Sequence, residues 1–167
     1  MNTTTSRSLQ WLRRNGWIAQ VVEQNIRYPD KEHPGKMKMF KRDLWNVADL
    51  VAIKDKNPSG TENGVLFVQT TTTAHQAERM AKIEGIPAAY QMLKTKNRLQ
   101  IHGWARKGAR GKRKLWQVTV TEVLLKENGL LAFVSRAEDA VEDDSKPAEN
   151  LFGPAGEIPQ QAADSDW

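Results

Sequence analysis

Apolar positions between Ala48 and Thr73 fall into two short runs, ADLVAI (Ala48 to Ile53) and VLFV (Val65 to Val68), parted by a turn rich in Asn, Pro, Ser and Gly. Runs this short with almost no polar alternation predict strands buried on both faces, the centre of a sheet covered by helices. The connection is too short for a helical crossover, so the two strands are expected to be antiparallel neighbours. Upstream, SLQWLRRN predicts a short helix capped by Thr5 or Ser6 and closed by Gly16, and WIAQVVE a first strand. From Gln24 to Lys41 the period stops and Pro29, Pro34, Gly35 and several lysines appear, which predicts a long loop with at most a short β excursion. Downstream, AHQAERMAKIEG has helical spacing, with Ala74, Ala77, Met80, Ala81 and Ile83 expected inward, Thr72 or Thr73 as cap and Gly85 as terminator. IPAAYQMLKTKN predicts a second short helix, and LQIHGWA and LWQVTVTEVLL two further strands. The expectation is an α/β domain with a mixed central sheet of about five strands flanked by helices.

Composition changes the picture at the C-terminal end. From Arg136 on there are two basic and nine acidic residues, a charge of −7, so with a net +5 the first 135 residues carry +12. The acidic segment has few apolar residues and is expected to be a disordered tail, giving a domain over 1–135 and a tail over 136–167. A body this basic is the electrostatic footprint of a protein that meets a polyanion, most commonly nucleic acid. The basic residues concentrate in RKGARGKRK, where Arg106, Lys107, Arg110, Lys112, Arg113 and Lys114 form a cationic turn between two strands bearing Trp104 and Trp116, either of which is able to stack a base. With no cysteine, thiolate metal sites and cysteine nucleophiles are excluded. No apolar run approaches a membrane span and MNTTTSRS does not read as a signal peptide, so the expectation is a soluble cytoplasmic protein with no membrane partner.

Each central strand carries one residue that a core would not select, Asp49 in the first and Gln69 at the end of the second. A carboxylate and an amide oxygen at the ends of neighbouring strands are able to converge on one hard divalent cation. An acid in an apolar strand is costly unless paired or metal-bound, which favours a functional role for Asp49.

The order of these elements, with LRRNGW…VVE, RDLWNVADLVAI, VLFVQTTTTAHQAERMAKI and RLQIHGWARKG, resembles the PD-(D/E)XK nuclease superfamily, and more closely a family of small phage and prophage proteins of that fold. The resemblance covers roughly residues 6 to 125. It implies a restriction-endonuclease-like core, a Mg2+ or Mn2+ site held by Glu23, Asp49 and Gln69, with the Thr70 carbonyl as a further ligand, and hydrolysis of DNA by an endonuclease or Holliday-junction-resolvase-like enzyme. Two departures stand out. Gln69-Thr70-Thr71 replaces the usual acidic-X-lysine, leaving one ligand neutral and a lysine missing, a gap that Lys82 or Arg79 from the next helix would have to fill. The alternative is therefore a non-catalytic DNA-binding module on a degenerate nuclease fold, with a protein-interaction factor acting through the acidic tail as a third reading. Asp43 is expected to pair with Arg42 or another cation and hold its loop. His75 is expected to face water, and His102 to be a structural histidine. The oligomeric state is left open, a homodimer included.

Overall fold

A computed structural model describes residues 3–54, 64–111 and 113–142; the turn over 55–63, Lys112 of the cationic turn and residues 143–167 of the expected tail lie outside the described residues. Helix α1 spans Thr4–Arg14 and is capped by Thr3, ahead of the expected Thr5 or Ser6, and the Thr3 Oγ1 accepts from the Ser6 amide at 3.2 Å. Arg13 and Arg14 close its last turn, where cations oppose the helix dipole. Gly16, at a φ of +80°, lets the chain reverse into strand β1, Ile18–Val21. Strands β2 (Gln24–Pro29) and β3 (Met37–Arg42) follow, then β4 (Leu50–Lys54) and β5 (Gly64–Thr72). A 3-10 turn over Thr73–His75, helix α2 (Gln76–Glu84) and helix α3 (Pro87–Lys94) lead to β6 (Arg98–Lys107), β7 (Leu115–Leu125) and β8 (Leu131–Glu142).

Six strands form one mixed sheet in the order β1-β4-β5-β6-β7-β8, one strand more than expected. β4 and β5 are antiparallel neighbours in the register Leu50↔Val68, as the short connection predicts. Among the described residues only β5 and β6 run parallel, and α2 and α3 supply the crossover that a parallel pair requires. The helices cover both faces. Phe67, with Val65 packed beside it, joins a cluster with Ile83 of α2 and Ala89 and Met92 of α3, whereas Leu66 and Val68 join Leu12, Trp17 and Leu50 under α1. Alternate residues of β5 thus enter two different cores, which is why the run shows no polar alternation.

Several expectations change. The segment read as a long loop is a β2–β3 hairpin that forms its own two-stranded sheet. The boundary at 135 falls inside β8, which continues through residues 136–142 of the expected disordered tail and pairs with β7 (Thr119↔Ala137, Val118↔Glu138). An edge strand gains its ladder hydrogen bonds from one neighbour and needs little apolar content, so composition did not reveal it. On α2, Ala74 just before it and Ala77 and Ala81 within it are exposed, and Gln76 is buried beside Ile83 instead. Trp104 belongs to a third core cluster with Val118 and Val120, and its indole N–H donates to Ser8 Oγ at 2.8 Å, so it has no face for a base. No helix among the described residues is long and apolar enough to cross a membrane.

The pairings bring several chain ends to one end of the sheet. Val21 closes β1 opposite Leu50, which opens β4; β5 ends at Thr72 beside Trp104, and Lys107 closes β6 opposite Leu115 of β7. Gln69 near the end of β5, Asp49 just before β4 and the cationic turn all lie at that end.

Candidate functional site

Asp49 lies one residue before β4, its amide bonded to the Val68 carbonyl at 2.9 Å, and is buried. Its Oδ2 accepts three hydrogen bonds: from Gln69 Nε2 at 2.9 Å, from the Thr70 amide at 2.7 Å and from Thr70 Oγ1 at 2.7 Å. Thr70 Oγ1 donates to Asp49, so the 3.0 Å contact with Thr5 Oγ1 is one in which Thr5 donates, tying α1 to the same point. Burial pushes the Asp49 carboxyl up to about 6; the Thr70 bonds oppose the shift and the neighbouring Asp43 adds to it. Asp49 and Gln69 meet, but it is the amide nitrogen of Gln69 that faces the carboxylate and not the oxygen expected to join it on a cation. Gln69 Oε1 is buried and has no hydrogen-bond partner among the described residues.

Asp43 reaches Asp49 through a tight turn. Leu44 and Ala48 form an isolated antiparallel bridge, so residues 43 and 49, one step outward, face each other. Closing that bridge over three residues puts Trp45 (φ 52°) and Asn46 (φ 60°) in the left-handed region, which a bulky Trp adopts at a cost of about 1 kcal/mol. Backbone strain of this kind collects where a constellation of side chains requires it. Asp43 does pair with a cation, but it is Lys82 of α2, at 3.6 Å, rather than Arg42. The sequence reading of Asp43 as a loop-holding residue therefore missed its place beside Asp49; the recurrence of aspartate at 43 and 49 around LWNVA is the signal that was available.

Glu23 is carried to the same place by the backbone, since the amides of Val22 and Glu23 both donate to the Asp49 carbonyl, at 2.8 and 3.2 Å. Its buried carboxylate faces Lys41 Nζ at 2.6 Å, and the Lys41 pKa is raised, first by Glu23 and further by the charges of Asp49 and Asp43. Lys41 comes from β3 and had no place in the sequence reading. Two lysines thus pair with carboxylates of this cluster, Lys41 with Glu23 and Lys82 with Asp43. Arg79 turns elsewhere, into an open groove of about 370 Å³ lined by Thr4, Thr70 to Thr72, His75 and Glu78.

Around this cluster, Arg106, Lys107, Arg110, Arg113 and Lys114 are all exposed on the β6–β7 turn at the same end of the sheet. Arg106 stacks 5.0 Å over the Trp116 ring, which the Arg7 guanidinium also meets at 3.8 Å. His75 is exposed and 3.2 Å from Glu78. His102 is fully buried against Trp11 and bonded to Gln100 at 3.2 Å; burial, with a smaller contribution from Arg136, pushes it down to about 3, so it is a neutral structural histidine.

Oxygen donors, the kind a hard divalent cation takes, are present at this end of the sheet. They are three carboxylates and an unpartnered amide oxygen, with two ammonium groups as partial neutralisation. Glu23, Asp43 and Asp49 lie farther apart, and among the described residues the only three carboxylate or imidazole groups close enough together to share an ion are elsewhere, at the tip of the β2–β3 hairpin. There Asp30, Glu32 and His33 have ligand atoms within 4.8 Å of one another. Asp30 is already engaged by Lys38 at 2.9 Å and by His33 at 3.0 Å, and Lys38 chiefly holds its carboxyl below the ordinary range. No protein-family model, curated protein or solved structure matches this chain.

Proposed function

We propose that the protein is a Mg2+ or Mn2+ dependent deoxyribonuclease of the PD-(D/E)XK type, with the ion held by Glu23, Asp49 and Gln69. The observation that carries this reading is the buried Asp49 carboxylate, facing a second carboxylate and next to an unpartnered Gln69 oxygen. Such a group is costly to ionise alone and gains most from a cation. When bound, a divalent ion supplies Lewis acidity, lowering the pKa of water and offsetting charge on a phosphodiester. The chain's own residues do the rest. Thr70 fixes the orientation of Asp49 through its amide and hydroxyl. Lys41 and Lys82 offset charge around the scissile phosphate in place of the missing lysine at Thr71. Arg79 and the threonine hydroxyls of the adjoining groove offer donors to a neighbouring phosphate.

The test is to mix the purified chain with supercoiled, linear, single-stranded and branched DNA in Mg2+, Mn2+ or EDTA. Cleavage by the wild type and its loss in Asp49→Ala supports the nuclease. Binding without cleavage under any metal leaves the non-catalytic DNA-binding module. The cationic turn has its own expected result: replacing Lys107, Arg110 and Lys114 together with serine should weaken DNA binding and lower the slope of log affinity against log salt by roughly 2 to 3, at about 0.9 per phosphate contact on a duplex. An unchanged slope would remove the turn from the interface.

A further inference from the structure

The β2–β3 hairpin is inserted between Glu23 and Asp43, so it is rooted on the site at both ends. It forms a separate two-stranded sheet in which Ile26 alone is half-buried and every other strand residue is exposed. From Gln24 to Arg42 it carries six basic and two acidic residues. Its register gives two mixed faces, one with Ile26, Tyr28, Lys38, Phe40 and Arg42, the other with Arg27, Met37, Met39 and Lys41. A ribbon of this kind buries too little to be explained by its own stability, since an isolated hairpin is marginal in water. Exposed Tyr28, Phe40, Met37 and Met39 beside unpaired cations mark a surface that contacts something else.

We infer that this hairpin is a duplex-DNA arm that lies in a groove beside the bond held at the Asp49 site; for its ligand this rests on the nuclease reading. Charge complementarity selects a polyanion: Arg27, Lys31 and Lys36 make no ion pair among the described residues, while Lys38 is spent on the tip and Lys41 on Glu23. Dimensions select a duplex. Two strands fit the major groove, about 12 Å wide, and six residues per strand reach about 20 Å along it. Tyr28 packs edge-on with Phe40 at 5.8 Å and Arg42 lies 5.7 Å from the Phe40 ring, so the pair is already engaged, and single-strand binding is an outcome of the test.

The experiment measures anisotropy of a labelled 30-base-pair duplex and of the matching single strand in EDTA, for the full chain and for Arg27→Ser/Lys31→Ser/Lys36→Ser. The expected result is a loss of duplex affinity of about tenfold or more and a salt slope lower by roughly 2 to 3, with single-strand affinity changed much less. A second variant, with Tyr28 and Phe40 both replaced by serine, should weaken duplex binding without altering the slope. Unchanged duplex affinity in both variants overturns the arm, as does an equal loss on single strands. A wild-type dimer that either variant turns into a monomer on gel filtration also overturns it, since the occupant is then a second copy. Calorimetric titration with Mn2+ separates this from the nuclease reading. An arm that binds duplex in a chain that takes up no metal leaves the arm standing and removes the nuclease, and a metal-binding, cleaving triple variant with full duplex affinity does the reverse.

Discussion

Replacing Asp49 with Asn is expected to stabilise the metal-free protein at pH 8 by about 1–3 kcal/mol, while abolishing any stabilisation by Mn2+. Burial raises the Asp49 carboxyl from 3.8 to about 6, and each pKa unit is worth about 1.4 kcal/mol of difference between the two protonation states. A raised carboxyl binds its proton in the folded state at a pH where the unfolded chain has released it. The stabilisation from the protonated group is therefore fully present below about pH 4 and lost as pH rises through about 6. Asn carries no such titration, and its amide is accommodated: its oxygen at the Oδ2 position keeps the bonds from Gln69 Nε2 and Thr70, and its new N–H has the Asp43 carboxylate as a neighbouring acceptor. Asp43 and Lys41 both feel the Asp49 charge, so the difference between variant and wild type reports residue 49 together with that coupling. Urea unfolding in EDTA from pH 4 to 8 checks the sign. Asn destabilising at every pH would mean that the neighbours stabilise the carboxylate rather than merely tolerate it. In Mn2+ the order should invert, because the ion binds only the folded wild type and raises its stability by mass action. That metal uptake should also weaken as pH falls below about 6, since a ligand must lose its proton to bind.

Gly103→Ala is expected to cost about 2–4 kcal/mol, although it adds one methyl group in the middle of a strand. A Cβ at residue 103 would stand 2.5 Å from Gln76 Oε1 and 2.7 Å from its Cδ. Gln76 is buried, and its Nε2 donates to Thr121 Oγ1 at 2.7 Å and to the Thr119 carbonyl at 3.2 Å, fastening α2 to the sheet. Moving it breaks both bonds and strands a buried amide, at roughly 1–3 kcal/mol for the unsatisfied group with the remainder from the second bond. Because α2 also carries Lys82 and Arg79, metal or DNA affinity should fall with stability. The Gly103→Ala/Gln76→Ala double variant should be clearly more stable than the sum of the single changes implies, the alanine occupying space the glutamine has left. Strict additivity, read from denaturation midpoints, would show that the methyl is absorbed without touching Gln76.

Read alone, the sequence determined the pairing at the heart of the molecule. Two apolar runs too close for a crossover had to be antiparallel neighbours, and that register delivers Asp49 against Gln69. It also determined α1, the crossover helices, the cationic β6–β7 turn and the structural character of His102, because each rests on local periodicity, a stop signal or a run of like charge. The tertiary structure alone decided what joins Asp49. Asp43 arrives through a bridge that forces Trp45 and Asn46 to positive φ, a conformation no propensity would predict for a tryptophan. Lys41 arrives on a hairpin whose strands have no buried face and hence no readable alternation. β8 forms from a polar segment because β7 offers it a ladder, and α2 turns Gln76 inward, ahead of three alanines, because the missing side chain at Gly103 leaves room and Thr121 leaves a hydroxyl. In each case the deciding energy is a contact with a residue distant in sequence, supplied by the rest of the fold, and a pattern of neighbours along the chain carries no record of it.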